Sequence, residues 1–171
     1  MRRYALACSL VALAPAIAVG QQQMVMGRPV YVEGHDGDNA YVTALSAPAP
    51  EAFDALRLTY ATLKIPTTSL DPNRGLVGTT QWTTPHWLAG HELSRYFDCG
   101  SGRGQSADEQ SVKLTIQSTV SPDSSTGKSS LRTSLTVTAT DPGESSRPRS
   151  CQSTGALETR VSDELVKTLS K

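Results

Sequence analysis

Charge of one sign is missing from this sequence. Sixteen Lys and Arg balance sixteen Asp and Glu over 171 residues, and the basic side chains are scattered from Arg57 to Arg132 without forming a stripe. With no basic stripe and no interleaved aromatics, nucleic acid is not an expected partner. Long apolar runs are scarce as well. The one that occurs, residues 5–19, is shorter than the roughly twenty residues a membrane-crossing helix needs, and no second run follows it. Cysteine is rare, at Cys8, Cys99 and Cys151, and none is spaced as a C-x-x-C redox or zinc pair.

Complete catalytic motifs are also lacking. Gly90-His91-Glu92 begins a zinc-protease signature, but Arg95 stands where the second histidine would have to be. His86 and His91 have no third ligand near them in sequence, so no metal is expected there. None of the many serines sits in a G-x-S-x-G elbow, which leaves a nucleophilic hydrolase without a nucleophile–base pair. Residues 100–104, GSGRG, match a phosphate loop only in composition, since no Lys-Ser/Thr follows. No cofactor is expected.

What is present speaks first to location. Arg2 and Arg3, the apolar run and the small residues Ala18-Val19-Gly20 read as a signal peptide over residues 1–20, cleaved before Gln21. Cys8 has too short an apolar stretch before it to be a lipidated residue and leaves with the signal. The remainder has the size of one ordinary domain. Its two cysteines, Cys99 and Cys151, form an even count in an oxidising compartment and are expected to pair. Closing a loop of about fifty residues is worth about 4 kcal/mol in the chain-entropy model.

Residues 50–82 organise the fold. Phe53, Leu56, Tyr60 and Leu63 recur at helical spacing on one face, with Pro50 suited to the first turn and Pro66 breaking the chain. The turn chemistry of 71–75, DPNRG, leads into a strand at 76–83, in which Gly78 suggests a bulge or a close backbone approach. Earlier, the β-favouring runs 29–33 and 40–45 flank GHDGDN, so the segment 21–48 holds a hairpin or a strand with an exposed loop. Asp36 and Asp38, with Asn39 and Glu33, offer oxygens to a calcium ion, but the set falls short of a full calcium loop.

Beyond Pro85, alternation favours a strand from about Glu92. Two clean strands then run through 112–120 and 131–139, joined by SPDSSTGKSS. A final helix over 156–169 sets Leu157, Val161, Leu165 and Leu169 against a wetter side of Glu158, Arg160, Asp163, Glu164 and Lys167. One-sided strands imply an antiparallel sheet. The expected fold is a single α+β domain over 49–171, a two-layer sandwich of four to six strands with two helices on one face.

Residues 50–83, a helix ending in LKIP, the 71–75 turn and Leu76-Val77-Gly78, resemble the repeating unit of the BamC-type domain. There a helix and turn of the form xxLxxLGIxVxxxDxxxGxI lead into an antiparallel sheet. The closing helix is consistent with that family's helix-grip architecture. LSRYFDCG at 93–100 and CQSTGALETR at 151–160 resemble a group of exported bacterial proteins. The resemblance implies an envelope location and a non-enzymatic role, since BamC-type proteins are lipoproteins that accompany the outer-membrane β-barrel assembly machinery. This chain differs in having one domain, no usable lipid-attachment cysteine and a cysteine pair. The expected function is a protein-interaction or structural module that meets an envelope protein. Trp82 and Trp87, with Phe53 and Tyr60, are the candidate contact surface. The alternative is a carrier whose helix-grip cavity, lined by those four residues, holds a hydrophobic small molecule.

Overall fold

Strict alternation produces the centre of the molecule, two long strands whose apolar sides share one face. The computed structural model describes residues 26–32, 40–100, 106–141 and 148–171. The segment expected to be a signal peptide, with Cys8, the Asp36/Asp38 loop and all but the first glycine of GSGRG lie outside the described residues. In chain order the elements are β1 (Val30–Val32), β2 (Ala40–Leu45), α1 (Ala49–Thr62), β3 (Ser69–Asp71), β4 (Leu76–Thr83), β5 (Trp87–Leu88), β6 (His91–Glu92), β7 (Phe97–Asp98), β8 (Ser111–Asp123), β9 (Lys128–Thr140), β10 (Arg149–Ser153) and α2 (Ala156–Leu169).

The fold is α+β with an antiparallel sheet in the order β1-β2-β9-β8-β4-β3. Strand β9 is long enough to carry two partners along one edge: β2 pairs with residues 129–134 and β10 with residues 137–139. Strand β7 adds to β10, which brings the sheet to eight strands, with β5 and β6 as a separate hairpin. The expectation of four to six strands was therefore too low. The extra strands are two to five residues long, too short for any alternation to show, and are defined by their partners alone. The first hairpin joins the sheet through β2.

Val112, Leu114, Ile116 and Val120 of β8 and Leu131, Val137 and Ala139 of β9 are buried. Against them α1 places Leu56, Tyr60 and Leu63, with Phe53 partly buried at the margin. The Tyr60 hydroxyl donates to Ser118 Oγ (3.0 Å), and Ser118 and Thr133 share a bond of 2.9 Å. Helix α2 packs Leu157, Val161 and Leu165 inward, and Ser162 Oγ donates to Thr43 Oγ1 (2.9 Å) on β2. These hydroxyl bonds satisfy polar groups that have no access to water.

Several local expectations were altered by packing. Helix α1 ends before Pro66, because Lys64 takes φ 57° and Ile65 N donates to Tyr60 O (2.9 Å), a Schellman-type stop. Gly78 is the close approach, where a Cβ would stand 2.7 Å from the Ile116 carbonyl oxygen. The bulge falls later, between Thr79 and Trp82, where Gln81 has φ 51°. The strand expected from Glu92 is interrupted by a 3-10 turn at Leu93–Arg95. On α2, Glu158 and Glu164 are buried rather than wet: Ser153 turns Glu158 inward, and Lys167 lies 3.6 Å from Glu164.

Cys99 and Cys151 form the expected disulfide, with Cα atoms 4.1 Å apart. The pairing of Gln152 with Asp98 and Ser153 with Phe97 sets the two cysteines next in the same antiparallel register. Among the described residues no helix is long and apolar enough to cross a membrane.

Candidate functional site

The segment after β4 folds into a tight β5–β6 hairpin because its two turn residues both adopt left-handed backbone, Ala89 at φ 49° and Gly90 at φ 88°. That is the type I′ geometry that suits a two-residue loop. Leu88 points into the core, which sends its neighbour Trp87 outward, 62% exposed. Buried Leu93 and the bond from Ser94 N to the Asp108 carboxylate (3.0 Å) anchor the following turn. His86 lies 2.6 Å through Nδ1 from the Asp108 carbonyl oxygen, which can only accept, so that nitrogen carries the proton.

The start of α2 is tied to this turn. Thr154 N donates to Tyr96 O (2.9 Å), and Thr154 Oγ1 donates to Arg95 O (2.8 Å). Gly155 follows at φ 81°, and any Cβ there would overlap the Tyr41 hydroxyl, so glycine lets α2 begin directly over β2. Ser153 Oγ donates to Glu158 at 2.7 Å and accepts from Gly155 N at 3.0 Å.

Between these walls lies a cleft of about 380 Å³ whose lining includes Tyr41, His91, Arg95, Tyr96, Thr159 and Arg160. The His91 and Tyr96 rings meet edge to face at 6.2 Å, as do Tyr31 and Tyr41 at 5.5 Å. Tyr96 is covered, at 1% exposure, yet its hydroxyl has no hydrogen-bond partner among the described residues. Burial pushes the Tyr96 phenol up, and the positive charges of Arg160 and then Arg95, which line the same cleft, pull it back. Burial likewise raises Tyr41, with Glu158 adding to the effect. Glu158 is itself raised by burial, against the opposing bond from Ser153. Neither Arg95 nor Arg160 has an ion-pair partner among the described residues. A second cleft of about 340 Å³ shares His91 and Arg95 and is walled by Trp87.

Of the four residues singled out in the sequence, only Trp87 faces one of these clefts. Tyr60 is fully buried, Phe53 packs at the core margin, and Trp82 sits opposite Leu114 in the sheet, partly buried. Among the described residues no group of three His, Cys, Asp or Glu side chains is placed to hold a metal. A separate groove of about 650 Å³ lies between α1 and β3, with Leu58 and Leu70 exposed. No protein-family model, curated protein or solved structure matches the chain.

Sequence reasoning passed over Arg95, Tyr96, Tyr41 and Arg160. Arg95 registered only as the wrong residue in a zinc motif, and Arg160 as one charge on the wet side of a helix. The one available signal was the clustering of aromatic residues with arginine across 87–97.

Proposed function

We propose that this protein is a non-enzymatic module of the bacterial cell envelope that acts by protein contact, built as a two-layer α+β sandwich. The observation that carries the reading is Trp87, a large aromatic held outward on a conformationally fixed hairpin, beside Arg95 in one shallow cleft. Tryptophan, tyrosine and arginine are the residues most enriched where interfaces concentrate their energy. A rigid hairpin also limits the ordering cost of binding. The disulfide supports export, because such bonds persist in oxidising compartments. The signal peptide read in residues 1–20 and the BamC-type resemblance of 50–83 point to the periplasm, and to a role alongside outer-membrane assembly. The partner is an envelope protein that offers an apolar pocket for Trp87 and a carboxylate for Arg95.

A photo-cross-linking residue placed at position 87, and separately at Leu58 on the far groove, tests the reading in intact cells. A discrete adduct from position 87 alone, abolished by Arg95→Glu on the same chain, is the expected result. Equal adducts from both positions, or none from position 87, would refute the assignment of this surface.

A further inference from the structure

The cleft at the start of α2 has a composition that the partner surface does not explain. Buried hydroxyls in folded proteins are nearly always bonded, and the other buried hydroxyls of this core, Tyr60, Ser118, Thr133, Thr43 and Ser162 among them, all are. Tyr96 is the exception, covered and unpartnered, on the wall of a cleft whose two guanidiniums are also unpaired among the described residues. The first turn of α2, a helix of 14 residues, turns the positive end of its dipole toward the same space. Asp163 lies on the lining and Glu158 is buried nearby, but Glu158 is already engaged by Ser153. The volume, about 380 Å³, exceeds what a bare ion needs and falls in the range of small-molecule sites. Tyr41 and His91 supply aromatic surface for the remainder of such a molecule.

We infer that this cleft binds a small organic oxyanion, a carboxylate or phosphate carried on a compact apolar group. Arg95 and Arg160 take the charge, and the Tyr96 hydroxyl, closed to solvent in the free protein, donates a hydrogen bond to it when the side chains covering it move aside. Guanidinium groups suit both oxyanions because their N–H donors match two oxygens at once. The assignment goes beyond the partner surface: the two clefts share His91 and Arg95, whereas Trp87 lines only the partner cleft and Tyr96 and Arg160 only this one.

The test is an NMR titration of the full protein, following the amides of Ala156 and Thr159, with benzoate, phenyl phosphate and neutral benzamide as probes. Benzoate or phenyl phosphate should saturate at a Kd of about 1 mM or tighter, the scale expected for ligands of this size. Benzamide should not saturate. Arg160→Gln, on an exposed side chain, should weaken binding by about tenfold, as loss of one charge-assisted bond does. Tyr96→Phe should weaken it while leaving the cooperative melt intact or raised, because it removes an unsatisfied hydroxyl from the free protein. Arg57→Gln on the outer side of α1 should change nothing. Saturation by only one of the anions assigns the site to carboxylates or to phosphates. Benzamide binding as well as benzoate, no saturation by either anion, or full affinity in Arg160→Gln would overturn the assignment. Trp87→Ala separates the two readings, since it should abolish partner binding yet keep the benzoate titration unchanged.

Discussion

Removing the Tyr60 hydroxyl tests how the helix is locked to the sheet. Tyr60 has no exposure, and its hydroxyl donates to Ser118 Oγ, which in turn bonds Thr133 Oγ1. In Tyr60→Phe the Ser118 and Thr133 hydroxyls still satisfy one another, so only the net worth of one hydrogen bond is lost, about 1 kcal/mol. Ser118→Ala is different. It strands both the Tyr60 and the Thr133 hydroxyls where water cannot reach, and each such orphan costs about 1–3 kcal/mol. The single changes therefore predict an asymmetry, with Ser118→Ala at least twice as costly. The double variant Tyr60→Phe/Ser118→Ala should cost less than the sum of the two, because one orphan has been removed with its partner. A coupling of about 1 kcal/mol is expected in a double-mutant cycle. Urea unfolding supplies the assay: midpoints should shift while the m-value stays constant. Additive costs within about 0.3 kcal/mol would show that the helix does not reach the sheet through this bond. The same burial holds the Tyr60 phenol far above its ordinary ionisation range, so its ultraviolet titration should appear only with unfolding.

Lys64 is exposed and holds a left-handed conformation that glycine adopts without steric cost, so Lys64→Gly should raise stability by about 1 kcal/mol; an unchanged or lower urea midpoint would mean that the Schellman stop is not under strain. Glu158 has its pKa raised by burial above the ordinary 4.5, so the folded state holds the proton more tightly than the unfolded chain does. Its contribution to stability is then fully present below the unfolded value and is lost as pH rises through the folded one. Glu158→Gln should remove that decline and exceed the wild type on the neutral side; a wild type that gains on its variant as pH rises would show the sign to be wrong.

The parts legible in the sequence are those encoded by near neighbours. Helical spacing of Leu56, Tyr60 and Leu63, and of Leu157, Val161 and Leu165, placed two helices with the correct faces inward. Alternation over 112–120 and 131–139 placed the central hairpin, and the DPNRG turn reappears with Asp71 accepting from Asn73 N and Arg74 N. The disulfide followed from an even cysteine count together with the expectation of an oxidising compartment. For the helices, the strands and the turn the pattern repeats within a few residues, so local physics alone decides it, whereas the cysteines, 52 positions apart, were matched only by count.

Tertiary structure decided the rest, because it depends on what lies opposite each residue. Strands of two or three residues such as Phe97–Asp98 exist only because β10 is there to pair with them. Glu158 has the charge of a surface residue and is buried, since Ser153 and the floor of β2 close over the first turn of α2. Arg95 and Arg160 are far apart in the chain and line one cleft only after Thr154 ties the 93–96 turn to the helix start. Periodicity in a sequence reports which face a side chain takes, and it carries no information on which distant loop that face will meet.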